Sequence, residues 1–429
     1  MIASSITSTE LSKIIASALA DERMKRHREE LSAPHPEEEK DIARRSAAQY
    51  LRIHQGQNMW GFDYDDSLDD ALIEEAIAHV LGLGKLQPLL EDPEISDIHV
   101  RGNCPVWVKM RSGERIQHAP IVQSDAELIE LVRRIATRMG HREQRFDPAH
   151  PELNLQMPDG SRLFATMEIS SRPSMIIRRH RFDYSSLGEL VSQKMMTPTT
   201  AQFLAASVRA RYNIVITGGT GTGKTTLLRA LINEIPRAER IVTIEDAFEI
   251  GIEHFETAHP DHDSLQARPA NTEGLGEVKM ADLVRMALRM DPDRVIVGEV
   301  RGAEAFSMLL AMTQGNNGSM CTIHADRART VFPKLLAYVS LAELSLPPEA
   351  VYSLISTAVH LVVHIQIVEG VRQITSIHEV VDTDGQSIAS NEIFSQNSQH
   401  PDFVGIRSET AAQLELHGFS RPREMSWQL

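Results

Sequence analysis

Between residues 218 and 226 the sequence reads Gly218-Gly219-Thr220-Gly221-Thr222-Gly223-Lys224-Thr225-Thr226. Glycines at this density let successive backbone N–H groups turn toward one anion without side-chain clash. A helix starting directly behind them adds its positive end at the same point. A lysine so placed can bridge phosphate oxygens, and the Thr225 hydroxyl can ligate Mg²⁺. The chemistry is that of a loop that cradles phosphate groups, with Gly218 to Thr226 as candidate contacts.

Three other short apolar runs end in chemical residues. Arg240 to Ile244 runs into Glu245 and Asp246, Val295 to Val297 into Gly298 and Glu299, and Met320 to Ile323 into His324. An acid after a strand is ordinarily a turn or helix-cap residue. In a parallel sheet, however, ligands bind beyond the carboxyl ends of the strands. Two acidic positions and an imidazole would then converge on the edge that carries the phosphate loop.

The elements needed for this are present in the pattern. Ile214 to Ile216 reads as a buried strand, and Leu227, Leu228, Leu231 and Ile235 share one helix face. Strand-like runs alternate with helical patterns to about residue 380, which predicts an α/β domain over 199–400. A polar C-terminal tail over 401–429 follows, and a Ser, Gly and Pro-containing linker over 183–198 precedes it. Residues 76–182 read as an α+β domain, with a helix around Ile73 to Leu81, a hairpin pair around 96–116, a second helix in DAELIELVRRIATRM and a Pro158-Asp159-Gly160 turn. Residues 1–75 read as a helical, acidic appendage. Its first helix has Ile14, Ile15, Ala18 and Leu19 at helical spacing, for packing or partner contact rather than a membrane surface. The run Asp63, Asp65, Asp66, Asp69, Asp70, Glu74, Glu75 reads as a solvated face, because it lacks the spacing of a calcium loop.

The 429 residues carry 44 Lys and Arg against 59 Asp and Glu, a net charge of -15. That balance disfavours a surface that coats nucleic acid, so any anionic ligand must be held locally. Two cysteines, Cys104 and Cys321, exclude a disulfide framework and a four-Cys zinc site, and fit a reducing cytosol. No secretory signal is expected at the start. The best candidate for a membrane span, Val351 to Val368, is interrupted by His360, His364 and Gln366.

Taken in order, GGTGTGKTT, RIVTIEDAFEI, DPDRVIVGEVRGAEA and GSMCTIHAD resemble the phosphate loop, Asp box, Walker B region and His box of the secretion and type IV pilus ATPases. Upstream, LGLGKLQPLLEDPEISDIHV and PDGSRLFATMEISSRPSMIIRRHR are similar to the TadA/CpaF pilus-assembly branch. The resemblance spans about residues 76–380. It implies a RecA-like P-loop ATPase domain after an α+β, PAS-like N-terminal domain and the helical appendage. It implies Mg²⁺-dependent ATP hydrolysis, a homo-hexameric ring and a membrane platform protein as partner, with the chain at the cytoplasmic face of the membrane. It implies roles for Lys224, for Glu299 as the base that orients water, for Glu245 in water and Mg²⁺ positioning beside Thr225 and Asp246, and for His324 as sensor of the γ-phosphate; the division between the two glutamates stays open. Arg162, Arg178 and Arg179 would reach the nucleotide, with Arg301 a further candidate; a solvated basic strand face is the other reading of the first three. Many relatives carry a second His just before the His box, where Asn316 stands here. The four-Cys element of type II secretion and pilus-extension ATPases is absent. A conjugation-type secretion ATPase and a non-hydrolysing nucleotide-gated scaffold are the alternatives.

Overall fold

Each of the first three helices carries a narrow apolar stripe, and the three stripes close on one another. The computed structural model describes residues 7–29, 34, 36–55, 66–139, 145–179, 185–255, 257–271, 274–342, 344–396, 403 and 405–420. In it α1 (Ser8–Arg28) contributes Leu11, Ile15 and Leu19, α2 (Pro36–Gln55) Ala43, Ala47 and Leu51, and α3 (Asp66–Val80) Ile73, Ala76 and Ile77. The boundary expected at residue 75 therefore cuts through a helix, since α3 packs with α1 and α2 on both sides of it. The acidic run lies partly on α3, where Glu74 meets Arg44 of α2 at 2.5 Å; Asp63 and Asp65 fall outside the described residues.

The chain divides into two compact units, Met1–His180 and Arg181–Leu429. After α4 (Gln87–Glu91), the first unit holds an antiparallel sheet of order β3-β2-β1-β6-β5-β4. Its strands are β1 (Ile95–Arg101), β2 (Val106–Met110), β3 (Arg115–His118), β4 (Glu152–Gln156), β5 (Arg162–Thr166) and β6 (Ser174–Arg178). Alternation along β2, β4, β5 and β6, as in Leu163 and Ala165 or Met175 and Ile177, buries one face. Helix α5 (Asp125–Met139) covers that face with Leu128, Leu131, Val132 and Ile135. The β4–β5 turn is the expected Pro-Asp-Gly: Gly160 has φ 81°, and Asp159 accepts from the Ser161 amide at 2.9 Å.

The second unit is an eight-stranded sheet of order β14-β13-β12-β7-β11-β10-β8-β9, built from β7 (Ile214–Gly218), β8 (Ile241–Glu245), β9 (His262–Gln266), β10 (Arg294–Val300), β11 (Met320–His324), β12 (Leu361–Val368), β13 (Val371–Thr383) and β14 (Ile388–Ser395). The ladders from β12 to β9 are parallel, and β13 and β14 add an antiparallel edge. Five of the six parallel strands are nearly continuous apolar runs because both faces are covered. On one side lie α6 (Leu187–Ser192), α7 (Pro198–Arg209), α8 (Lys224–Ile232) and α13 (Ser408–Leu416). On the other lie α9 (Met280–Ala287), α10 (Glu304–Ala311), α11 (Val331–Ser340) and α12 (Pro348–Ala358).

Two expected segments differ. The stretch 183–198 holds α6 rather than a linker: Leu187, Leu190, Met195 and Met196 are buried, and Ser186 and Glu189 form a reciprocal capping box. The C-terminal stretch is not a polar tail as far as residue 420. Phe403 stacks on Phe203 with ring centroids 4.5 Å apart, and Phe419 meets both edge-on. The apolar run at Val351 to Val368 is divided between α12 and β12. No helix among the described residues is long and apolar enough to cross a membrane.

Candidate nucleotide-binding site

Strand β7 is buried throughout, paired with β11 on one side and β12 on the other, so the loop that leaves it starts from a fixed point. Two glycines there are required by close approach. A Cβ on Gly218 would lie 2.4 Å from the Ile365 carbonyl oxygen of β12. Gly223 caps α8 with φ 96°, and a Cβ on it would lie 3.0 Å from Met195 and 3.2 Å from Arg372. Thr222 ties the loop internally through a 3.0 Å bond to the Gly219 carbonyl. Thr225 and Thr226 stand half-buried in the first turn of α8. Lys224 is nearly buried and folded back on its own loop, donating to the carbonyls of Gly218 at 3.2 Å and Gly219 at 2.9 Å. Burial lowers its pKa, with Glu299 and Glu249 acting against that.

Glu245 ends β8 at 2% exposure. Its Oε1 accepts from the Glu249 and Ile250 amides at 2.9 and 2.8 Å, while Oε2 is buried without a hydrogen-bond partner. Burial pushes this carboxyl up to about 8 against those two amides. Neighbouring β10 reaches it closely: a Cβ on Gly298 would stand 3.1 Å from Glu245 Cγ, which accounts for the glycine.

Glu299 is aimed by a β-bulge. Val297 pairs with Cys321 and Val300 with Ile323, so Gly298 and Glu299 together oppose Thr322. Val297 and Val300, three apart, consequently pack in the same core. Glu299 Oε2 lies 2.5 Å from Arg301 Nη2, and Oε1 lies 2.8 Å from His324 Nε2 without an aligned hydrogen bond. His324 sits opposite Gly218 in the β11–β7 register, and its Nδ1 is 3.2 Å from Lys224 Nζ. Burial and then Lys224 lower its pKa, while Glu299 acts to raise it. Arg301 continues the chain of contacts to Asp246 at 3.6 Å. Lys224, His324, Glu299, Arg301 and Asp246 are thus linked at one sheet edge, with Glu245 beneath.

These residues fit ATP and Mg²⁺. The glycines leave the backbone N–H groups uncovered, Lys224 is answered among the described residues by loop carbonyls and His324, and Oε2 of the Glu245 carboxyl has no hydrogen-bond partner. Among the described residues no cluster of three or more His, Cys, Asp or Glu could hold a metal alone. That suits Mg²⁺, which takes one or two protein ligands and completes its shell with phosphate oxygens and water.

The three arginines expected upstream belong to the first unit. Arg162 and Arg178 face each other across β5 and β6, and Asp97 of β1 follows in register. Arg178 binds Asp97 at 3.0 Å yet keeps 60% of its side chain exposed. Burial pushes the Asp97 carboxyl up, and the bonds from Arg178 and Ser96 more than offset this and hold it low. Arg179 instead turns to the backbone carbonyls of Asp92 and Ile95. Asn316 lies in the loop before β11, at the end opposite His324, where it donates to the Pro292 carbonyl. Its identity is thus a matter of the loop at that end and not of the phosphate edge.

Sequence reasoning missed two cations. Arg372, near the start of β13, donates to the Gly221 carbonyl at 2.9 Å, and Lys334 of α11 holds the His324 carbonyl at 2.6 Å. The Glu369-Gly370 pair, both with positive φ, marks the hairpin that returns Arg372 to the loop, but nothing in the spacing shows where the hairpin lands.

The family model described as type II/IV secretion system protein matches residues 81–405. A Mycobacterium tuberculosis protein named for conjugal transfer is 35% identical over 293 residues, covering 66% of this chain and 80% of the relative. The type IV secretion system protein VirB11 of Brucella suis is 29% identical over 338 residues, covering 72% and 91%. Among solved structures, the Brucella suis VirB11 ATPase in complex with sulphate aligns at 26% identity and TM-score 0.37, over 70% of this chain and 96% of that one. The pilus retraction motor PilT with bound ADP aligns at 18% identity and TM-score 0.49, over 78% and 86%.

Proposed function

The chain belongs to the type II/IV secretion system protein family, and from that premise we propose that it is a Mg²⁺-dependent, ATP-hydrolysing motor of the TadA/CpaF kind. It would work as a homo-hexameric ring at the cytoplasmic face of the membrane, driving assembly of a Tad-type pilus or protein export through an inner-membrane platform protein. The observation that carries the reading is the linked set Lys224, His324 and Glu299 at the mouth of the phosphate loop.

The loop amides and Lys224 hold the β- and γ-phosphates, for which Lys224 gives up its two loop carbonyls. Glu299, held by Arg301, orients the attacking water and takes up its proton. His324, kept neutral by burial, stands between Lys224 and Glu299, where it can report the γ-phosphate to the base. Glu245 supports the edge from below. When bound, Mg²⁺ would neutralise phosphate charge, with Thr225 and Asp246 the side chains to hold it. Of Arg162, Arg178 and Arg179, Arg178 is the exposed one, and its guanidinium is suited to a nucleotide.

Steady-state phosphate release tests this. Wild type should turn over, and Glu299→Gln should lose at least ~100-fold while still binding ATP. Tight ATP binding with no wild-type turnover would establish the nucleotide-gated scaffold instead. A conjugation-type secretion ATPase is the second reading, favoured by the names of the mycobacterial and Brucella relatives. The inner-membrane protein that co-purifies with the chain decides between the two.

A further inference from the structure

We propose that the second unit carries an additional anion site, for a small phosphate-bearing molecule, separate from the nucleotide loop. A cavity of about 250 Å³ opens between the segment after His324 and strands β12, β13 and β14. His364, in its wall, follows Val362 by two residues on β12 and shares its face; Val362 packs among α9 to α12, so the cavity lies on the sheet face opposite α8.

The wall is rich in donors. Arg327 and Arg329 are exposed beside it, and neither makes an ion pair among the described residues. His364 and His378 are each 3% exposed. Neither ring nitrogen of His364 has a hydrogen bond of good geometry, although the backbone of Asp326 lies beside it. Ser376 adds a hydroxyl. Two carboxylates stand against these groups. Glu392 lies 3.7 Å from His378 and is partly answered by it, and Asp326 is exposed. His378 Nδ1 lies 3.3 Å from the Ser390 hydroxyl, which leaves the His364 ring as the buried group without a partner. Leaving such a ring unmatched is costly, and an anion with several acceptor oxygens satisfies guanidinium, imidazole and hydroxyl together. The volume exceeds that of a bare tetrahedral oxyanion and falls below the roughly 300 Å³ at which drug-sized pockets begin. A phosphomonoester with a short organic part fits this range. Arg327 and Arg329 follow His324 by three and five residues, so a bound ligand would restrain the segment that carries it.

The test is calorimetric titration of the full chain with inorganic phosphate and, separately, glycerol phosphate. A saturating non-hydrolysable ATP analogue with Mg²⁺ first fills the nucleotide loop. One phosphate group per chain should bind, and the double variant Arg327→Ala/Arg329→Ala should weaken it at least tenfold while its melting temperature and analogue affinity stay at wild-type values. Tighter binding of the ester assigns the ligand an organic part, and equal binding assigns the free anion. Absence of binding, or equal binding by the double variant, overturns the site. Because the readout is the difference between wild type and variant, it stands whether or not the chain hydrolyses ATP.

Discussion

Glu245 shows how far the fold can move one side chain's chemistry. In the unfolded chain its carboxyl would titrate near 4.5, and in the folded protein burial carries it to about 8. The folded state therefore holds an extra proton between these values, and stability falls as pH rises from about 4.5 to 8. Glu245→Gln removes that penalty and keeps an acceptor for the Glu249 and Ile250 amides. Its melting temperature, without nucleotide, should exceed wild type by little at pH 5 and by several degrees at pH 8, on the order of a few kcal/mol at most. A pH-independent difference would mean that the carboxyl is ionised throughout. Such residues were legible from sequence because each ends an apolar run at a known sheet edge. Arg372 was not, because its contact with Gly221 spans 151 residues and depends on where a hairpin folds back.

The elements follow the sequence where a pattern has one physical meaning. Ile214 to Gly218 and the helix from Lys224 could be read directly, as could α5 with its single apolar face. The few apolar residues of the 183–198 stretch show little period and so suggest a linker, yet Ser186 with Glu189, and Thr197 before Pro198, are helix starts in plain view. Residues 403–420 failed differently: Phe403 and Phe419 are isolated apolar positions whose burial comes from packing on Phe203, far away in sequence. The β10 bulge is visible only as the three-residue step from Val297 to Val300. It also makes Gly298 a sensitive position. Gly298→Ala places a methyl 3.1 Å from Glu245 Cγ and 3.3 Å from its Oε1, overpacking by ~1–3 kcal/mol. The variant should fold with a melting point a few degrees lower and lose at least ~10-fold in phosphate release, since the carboxylate beside Glu299 must move. Normal turnover in a folded Gly298→Ala protein would show that the place of Glu245 is not critical.

At the scale of the molecule, a net charge of -15 is compatible with the proposed site for a polyanion because Lys224, Arg301, Lys334 and Arg372 gather around one loop. Within a screening length of about 8 Å these cations and the loop amides outweigh charge elsewhere. Assembly adds a second constraint. On the first unit's open sheet face, Trp107, His99, Ile176 and Phe164 fall in one cross-strand row. Trp107, Ile176 and Phe164 are 40–47% exposed, an apolar row of the sort that marks a contact surface. The proposed ring supplies an occupant in a second copy of the chain. Six copies of 47.9 kDa give about 290 kDa, so light scattering after size exclusion should move toward that mass with a non-hydrolysable ATP analogue. Phe164→Ser should shift the protein back toward smaller species while each chain still binds the analogue, because Phe164 points away from the buried face of its own sheet. A strictly monomeric protein with full ATP turnover would eliminate the ring, and a Phe164→Ser protein that assembles normally would free that row from the interface.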